Sequence, residues 1–374
     1  MEKPVIAVVG LGTLGLGVAQ IYAAAGFAVL ATDADTGARA NAPQRMADAL
    51  NRRMAAGKLA AAARDETLAH LTVVQNLADL APAAVLIEAI VERLAAKGAL
   101  FGQLEQIVSR DTVLATNTSS LSVAAVAQGL IHPGRVLGLH FFNPAPVMAL
   151  VELIPHAGTL PAALTLARQV TEAAGKTVIQ CPDRPGFVVN RCARPYYGEA
   201  LALLQEGRSA SDIDAALQAA GYPLGPFGLI DLIGADINLA ATEGLNAAMG
   251  NHPRYHVFDA LRAAVAAGRL GRKSGQGFLY PAKPGAAPPD AAQIVQRIEA
   301  ALINEACSLL AEGGITADAI DTAIMLGLNF PRGPFAALQA YGKPRILAQL
   351  AALKQAAPPA LQPRYHPAPP LETP

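Results

Sequence analysis

The 374-residue sequence is poor in charge: Asp, Glu, Lys and Arg make up 16% of it, and 29 basic residues cancel 29 acidic ones. No overall basic field exists to hold nucleic acid or an anionic membrane. Cysteine is scarce as well. Cys181, Cys192 and Cys307 are odd in number and form no Cys-x-x-Cys pair, which suits a reducing compartment. Long apolar runs are missing, because the weakly charged stretch from Thr112 to Ile131 is interrupted by Asn117, Thr118, Ser119 and Ser120 and so makes no membrane span. Met-Glu-Lys-Pro leads straight into a strand with no signal-peptide pattern. A soluble, cytoplasmic protein is expected, with no nucleic-acid or membrane partner and no metal site. Hydrophobic residues are abundant at 52%, many of them alanine, so helices should be plentiful. The length suffices for two or three domains.

Residues Val5 to Val9 read as a short apolar strand, followed at once by Gly10-Leu-Gly12-Thr13-Leu14-Gly15. A helical stretch to Ala25 is closed by Gly26, and a second strand, Phe27 to Thr32, ends in Asp33. Strand, glycines, helix, strand and acid in this order form one dinucleotide-binding unit. Gly10 permits the tight turn, Gly12 lets backbone approach a pyrophosphate, and Gly15 lets helix and strand pack closely. The helix N-terminus offers N–H donors to phosphates. Asp33 stands 23 residues after Gly10, near the offset for the adenosine ribose, and would repel a 2′-phosphate. NAD is therefore expected rather than NADP.

Further strands, Val85 to Ile90, Thr112 to Thr116 and Arg135 to Phe141, suit a parallel sheet covered on both faces. Ligands of such sheets sit at the carboxyl ends of the strands. One end carries Glu92 with Lys97 on the next helix; the same spacing also suits a solvated ion pair. Another carries Asn117-Thr-Ser119-Ser120, whose serines could equally cap a helix beginning near Ser122. The third is the richest. His140 ends an apolar strand, Pro144 and Pro146 turn the chain, and Glu152 returns within a second apolar strand. Histidine is the side chain whose ordinary pKa best suits proton transfer near neutrality, and a carboxylate beside it could hold the ring. A buried core histidine with an unrelated glutamate is the competing reading.

From Arg184 the strand pattern gives way to helical periodicity, entered through Pro185-Gly-Phe-Val-Val-Asn190-Arg191. This half repeats itself. Gly198-Glu-Ala-Leu recurs as Asn304-Glu-Ala-Cys, Gly225-Pro-Phe as Gly333-Pro-Phe, and Pro253-Arg-Tyr-His as Pro363-Arg-Tyr-His. A proline-rich linker separates the copies. The expected fold is an α/β Rossmann-type doubly wound sheet domain followed by two related all-α domains. Its boundaries are 1–183, 184–281, a linker at 282–291, and 292–374. Asn190 and the segment Gly271-Arg-Lys273-Ser-Gly-Gln-Gly277 have no evident counterpart in the second copy, which therefore reads as structural.

Gly10 to Gly15, Glu88 to Glu92, Asn117 to Ser120, Gly138 to Glu152, Pro185 to Arg191 and Gly221 to Phe227 together resemble the L-3-hydroxyacyl-CoA dehydrogenases with tandem C-terminal domains. The resemblance implies NAD-dependent oxidation of a short-chain or dicarboxylic (S)-3-hydroxyacyl-CoA. It makes His140 the general base, oriented by Glu152, with Ser119 and Asn190 near the substrate oxygen. Gly10, Gly12, Thr13, Leu14, Gly15, Asp33, Glu92, Lys97, Asn117 and Lys273 fall at cofactor-contacting positions. At the CoA end the chain departs from the family: the helix after Asp33 is alanine-rich, and Arg52, Arg53 and Lys58 are the cations at hand. They could grip phosphate or simply solvate a helix face. Two other classes remain open: a dehydrogenase of free hydroxy acids, similar to lambda-crystallin, and a non-catalytic crystallin-like protein. A homodimer is one expectation. The other is a monomer in which the tandem helical copies replace the dimer contact.

Overall fold

The computed structural model describes residues 3–372, which form two compact units, one ending at Arg184 and the other beginning at Pro185. The first unit is an eight-stranded sheet ordered β3-β2-β1-β4-β5-β6-β7-β8. Its strands are β1 (Ile6–Val9), β2 (Val29–Thr32), β3 (Leu71–Val73), β4 (Val85–Glu88), β5 (Val113–Thr116), β6 (Val136–Phe141), β7 (Leu150–Pro155) and β8 (Thr177–Gln180). The first six follow the order of a dinucleotide-binding sheet and run parallel. Only the β6–β7 pair is antiparallel. Helices α1 (Thr13–Ala24), α2 (Thr36–Ala55), α3 (Ala61–Ala69), α4 (Leu94–Glu105), α5 (Val123–Ala127) and α6 (Pro161–Ala173) cover it. The central strands are apolar on both faces because both faces are covered: every residue of β1, β4, β5 and β6 is buried.

The second unit is helical: α7 (Val189–Gln205), α8 (Ala210–Ala219), α9 (Pro226–Ile233), α10 (Ala235–Ala248), α11 (Asp259–Ala266), α12 (Ala291–Ala311), α13 (Ala317–Leu328), α14 (Pro334–Tyr341), α15 (Lys343–Ala356) and α16 (Pro369–Glu372). The internal repeat is real in three dimensions. Asp214 on α8 accepts hydrogen bonds from Phe227 and Gly228 N–H at the start of α9, and Asp321 on α13 accepts from Phe335 and Ala336 N–H at the start of α14. The two copies occupy one compact unit rather than two separate domains. The reason is a reciprocal exchange of buried charge. Arg191 of α7 binds Glu305 and Glu312, while Arg297 of α12, 106 residues later, binds Glu199 and Glu206. Tyr255 donates to Glu305 and Tyr365 to Glu199, with Arg254 and Arg364 beside them. Each copy supplies the cations for the other's anions, the pattern of a two-fold interface built inside one chain.

The repeat also corrects the sequence reading of Asn190. At the 106-residue offset its counterpart is Gln296, one methylene longer. That amide is engaged within its own copy, accepting from Arg345 Nε at 2.7 Å and donating to Gln349 at 3.1 Å.

Candidate active site

The glycine loop joins β1 to α1. Gly10 takes φ +103°, and a Cβ there would overlap Ala89 O. A Cβ on Gly15 would overlap Gly10 O, so the helix starts against the turn itself. At Gly12 nothing lies within 4 Å, leaving room for a phosphate. Asp33, directly after β2, accepts Leu11 N–H on its Oδ2 at 2.6 Å and so holds the loop. Arg45 on α2 closes the clamp by donating to Leu11 O at 2.7 Å, a role no local sequence signal reveals. Gly10, Gly12, Asp33, Ala89, Ile90 and Val91 are among the lining of a cavity of about 570 Å³, fit for an adenosine.

A second cavity of about 300 Å³ adjoins the loop and is lined by Gly12, Thr13, Leu14, Gly15, Ala89, Ile90, Glu92, Asn117, Ser119 and His140. Eight of the sequence-selected residues, His140 among them, thus line one hollow with Ala89 and Ile90. The surroundings of His140 follow from strand register. His140 and Glu152 are directly opposed across the antiparallel β6–β7 pair, and Nδ1 lies 2.6 Å from Glu152 Oε2. Both residues are buried. A carboxylate accepts, so Nδ1 carries the proton and the basic lone pair sits on Nε2. The turn between the strands contains a cis Asn143–Pro144 bond, and Lys176 Nζ donates to Ala145 O and Met148 O at 2.7 and 2.8 Å.

The end of β4 organises the loop that bears Ser119. Burial would push the Glu92 carboxyl up. Hydrogen bonds from Thr118 Oγ1, Ser120 Oγ and the Ser119 N–H, with the Lys97 charge, hold it below the ordinary carboxylate range. Lys97 is no solvated partner: it is 0% exposed, lines neither cavity, and bridges Glu88 at 2.6 Å and Glu92 at 3.2 Å. Glu88, missed in the sequence, also accepts from Thr116 Oγ1 and Ile90 N–H. Neither Ser119 nor Ser120 caps the next helix. Ser122 does so, assisted by Asp183, which accepts from Val123 and Ala124 N–H. Asn117 Oδ1 accepts Phe141 N–H at 2.8 Å and ties β5 to the residue after His140.

Of the CoA-end cations, Arg52 lines a third hollow, with Arg45, Thr13 and the Asn143–Pro146 turn. Arg53 and Lys58 are exposed and line none of these three cavities. In the second unit, Asn190 is half-buried near the start of α7, and Lys273 is ion-paired with Asp236 at 2.5 Å.

A dinucleotide cradle continuous with a buried histidine–carboxylate pair defines a nicotinamide-dependent dehydrogenase acting on a hydroxyl carbon. The family model for the NAD-binding domain of 3-hydroxyacyl-CoA dehydrogenase matches residues 5–184, and that for its C-terminal domain matches 186–280 and again 294–373. The chain belongs to the 3-hydroxyacyl-CoA dehydrogenase family, and its cofactor is NAD. It is 43% identical over 274 residues to a 3-hydroxyadipyl-CoA dehydrogenase of Escherichia coli (73% of this chain, but only 58% of that protein). It is 38% identical to a 3-hydroxybutyryl-CoA dehydrogenase of Mycobacterium tuberculosis, covering 73% of this chain and 96% of the other. A crystal structure of 3-hydroxybutyryl-CoA dehydrogenase from E. coli superimposes with a TM-score of 0.91 at 33% identity, over 99% of this chain and 98% of that one. Among the described residues no helix is long and apolar enough to cross a membrane.

Proposed function

We propose that the protein oxidises (S)-3-hydroxyacyl-CoA thioesters bearing short or dicarboxylic acyl chains to 3-oxoacyl-CoA. One observation carries the reading: His140, bonded to buried Glu152, lines the same cavity as the phosphate-binding glycine loop. NAD, when bound, accepts the hydride from C3. The protein's part is the proton. His140 Nε2 takes it from the 3-hydroxyl, and Glu152 stabilises the imidazolium that results. Ser119, held by Glu92, and Asn190 hydrogen-bond the oxygen as it becomes a ketone. Glu92 and Lys97 act as positioning residues for the Ser119 loop. Arg52 is assigned to CoA phosphate, and Lys273 to the cofactor. The exchange of charges within the second unit supports a monomer whose second helical copy covers the face a partner subunit would take. Three free, buried thiols support a cytoplasmic setting.

The deciding experiment is NADH formation, followed by absorbance, with 3-hydroxybutyryl-CoA and with free 3-hydroxybutyrate. Turnover with the thioester is expected. Turnover of the free acid alone would transfer the protein to the hydroxy-acid dehydrogenases, and no turnover of either would favour a non-catalytic role.

A further inference from the structure

Arg194 lies one helical turn beyond Asn190 on α7 and is only 7% exposed. Its Nε donates to Asn190 O at 3.2 Å, and its Nη1 to Asn238 O at 3.3 Å and Thr242 Oγ1 at 3.1 Å. The Tyr197 ring lies 4.9 Å from Cζ. Every one of these partners is neutral. Among the described residues no carboxylate pairs with Arg194, and its Nη2 has no hydrogen-bond partner. Beside it, Asn238 is 2% exposed, and neither Oδ1 nor Nδ2 finds a partner among the described residues. A buried charge without a counter-ion next to an unsatisfied buried amide is a costly arrangement. The unit's other buried arginines do not share it, since Arg191 and Arg364 are each bonded to glutamate.

The internal repeat supplies a control. At the α7-to-α12 offset of 106 residues, Arg191, Glu199 and Glu206 recur as Arg297, Glu305 and Glu312, but Arg194 recurs as Ala300. Helices α10 and α15 have equal lengths at an offset of 108, which matches Asn238 with Ile346 and Thr242 with Leu350. Ala300, Ile346 and Leu350 are all fully buried in one apolar cluster. The same helical framework therefore closes over hydrocarbon in the second copy, and the polar trio of the first is not required by the fold.

We propose that Arg194 receives the distal carboxylate of the acyl chain, making the substrate a dicarboxylic 3-hydroxyacyl-CoA of about six acyl carbons. This rests on the preceding reading, in which Asn190 attends the oxygen at C3. The reach agrees. One helical turn rises about 5.4 Å. In a six-carbon diacid C3 and the distal carboxyl carbon are separated by three bonds of about 1.5 Å each. The planar guanidinium fork suits a carboxylate, and Asn238 Nδ2 is a further donor nearby.

The test is the ratio of kcat/KM for (S)-3-hydroxyadipyl-CoA to that for (S)-3-hydroxybutyryl-CoA, measured in the natural protein and in Arg194→Met. A ratio well above one in the natural protein should fall by about 10- to 100-fold in the variant, the range of a lost charge-assisted hydrogen bond. The thermal midpoint should not drop, since the second copy holds alanine there. A proportional loss on both substrates, or a natural ratio of one or less, overturns the assignment. Turnover of neither thioester by the natural protein would instead sink the dehydrogenase reading beneath it. Should Arg194→Met fail to fold, competitive inhibition of the natural protein decides. Adipyl-CoA should bind about tenfold or more tightly than hexanoyl-CoA, on the same strength of bond; equal or weaker binding refutes the carboxylate seat.

Discussion

Arg191 and Arg297 stand at equivalent places near the starts of α7 and α12, and each is clamped by the glutamate pair of the other helical copy. The arrangement is isologous, as in a dimer of identical subunits, yet both halves belong to one chain. Arg191 and Glu199 of the first copy, and Arg297 and Glu305 of the second, take their ionic partners from the other copy.

Removal of residues 290–374 should therefore expose Arg191 and Glu199 without partners, along with the apolar face around them. The shortened chain is expected to associate into a tight dimer or to precipitate, as seen by sedimentation velocity. An unchanged, fully active monomer would contradict the covering role. In the full chain, Glu305→Gln leaves Arg191 and Arg254 short of an anion, and should destabilise by about 3–5 kcal/mol in chemical denaturation.

Replacing His140 by Gln keeps a polar group of similar bulk but removes the base. NAD affinity by fluorescence titration should stay within about twofold, while kcat falls by about 10²–10⁴, the usual range for a general base. Near-normal turnover would exclude His140 from proton transfer.

The two glycines of the loop should separate binding from folding. Gly12→Ala meets no protein atom within 4 Å, so its thermal midpoint should hold while NAD binding weakens. Gly15→Ala drives a methyl group into Gly10 O and should lower the midpoint as well. Identical behaviour of the two variants in both assays would count against the cradle.

Glu92 gives a pH signature. Its folded pKa lies below the ordinary 4.5, so the folded state favours the carboxylate. The resulting stability is fully present above that ordinary value and is lost as pH falls through the depressed one. Denaturation of the natural protein and Glu92→Gln at several pH values should show a gap that is constant near neutrality and closes in acid. A gap that widens on acidification would reverse the sign and refute it.

The glycine loop, Asp33, His140 and Glu152 were legible in the sequence because each is announced locally, by spacing or by position at a strand end. The roles of Arg45, Glu88 and Lys176 were not, since each depends on a partner brought close only by the folded sheet. For Lys97 the spacing left a solvated ion pair and a site residue equally open, because spacing cannot register burial. Gln296 escaped notice as the counterpart of Asn190 because the matched segments of the repeat begin only at Gly198. No local signal in the sequence marks Arg194. What sets it apart is the lack of an anion around it, and a one-dimensional string does not display an absence of neighbours.

Because His140 and Glu152 face one another in the β6–β7 ladder, the proposed proton-transfer pair is counted in residues along two strands. The eight residues from 142 to 149 lie outside that count. Lengthening or shortening this connection can be absorbed, whereas adding one residue inside either strand turns one of the pair to the opposite side of the sheet. Such an insertion should leave a folded protein in which the proposed base and its carboxylate no longer meet. Tolerance to insertion should therefore switch sharply at Phe141 and at Leu150, a boundary that scanning single-residue insertions would trace directly.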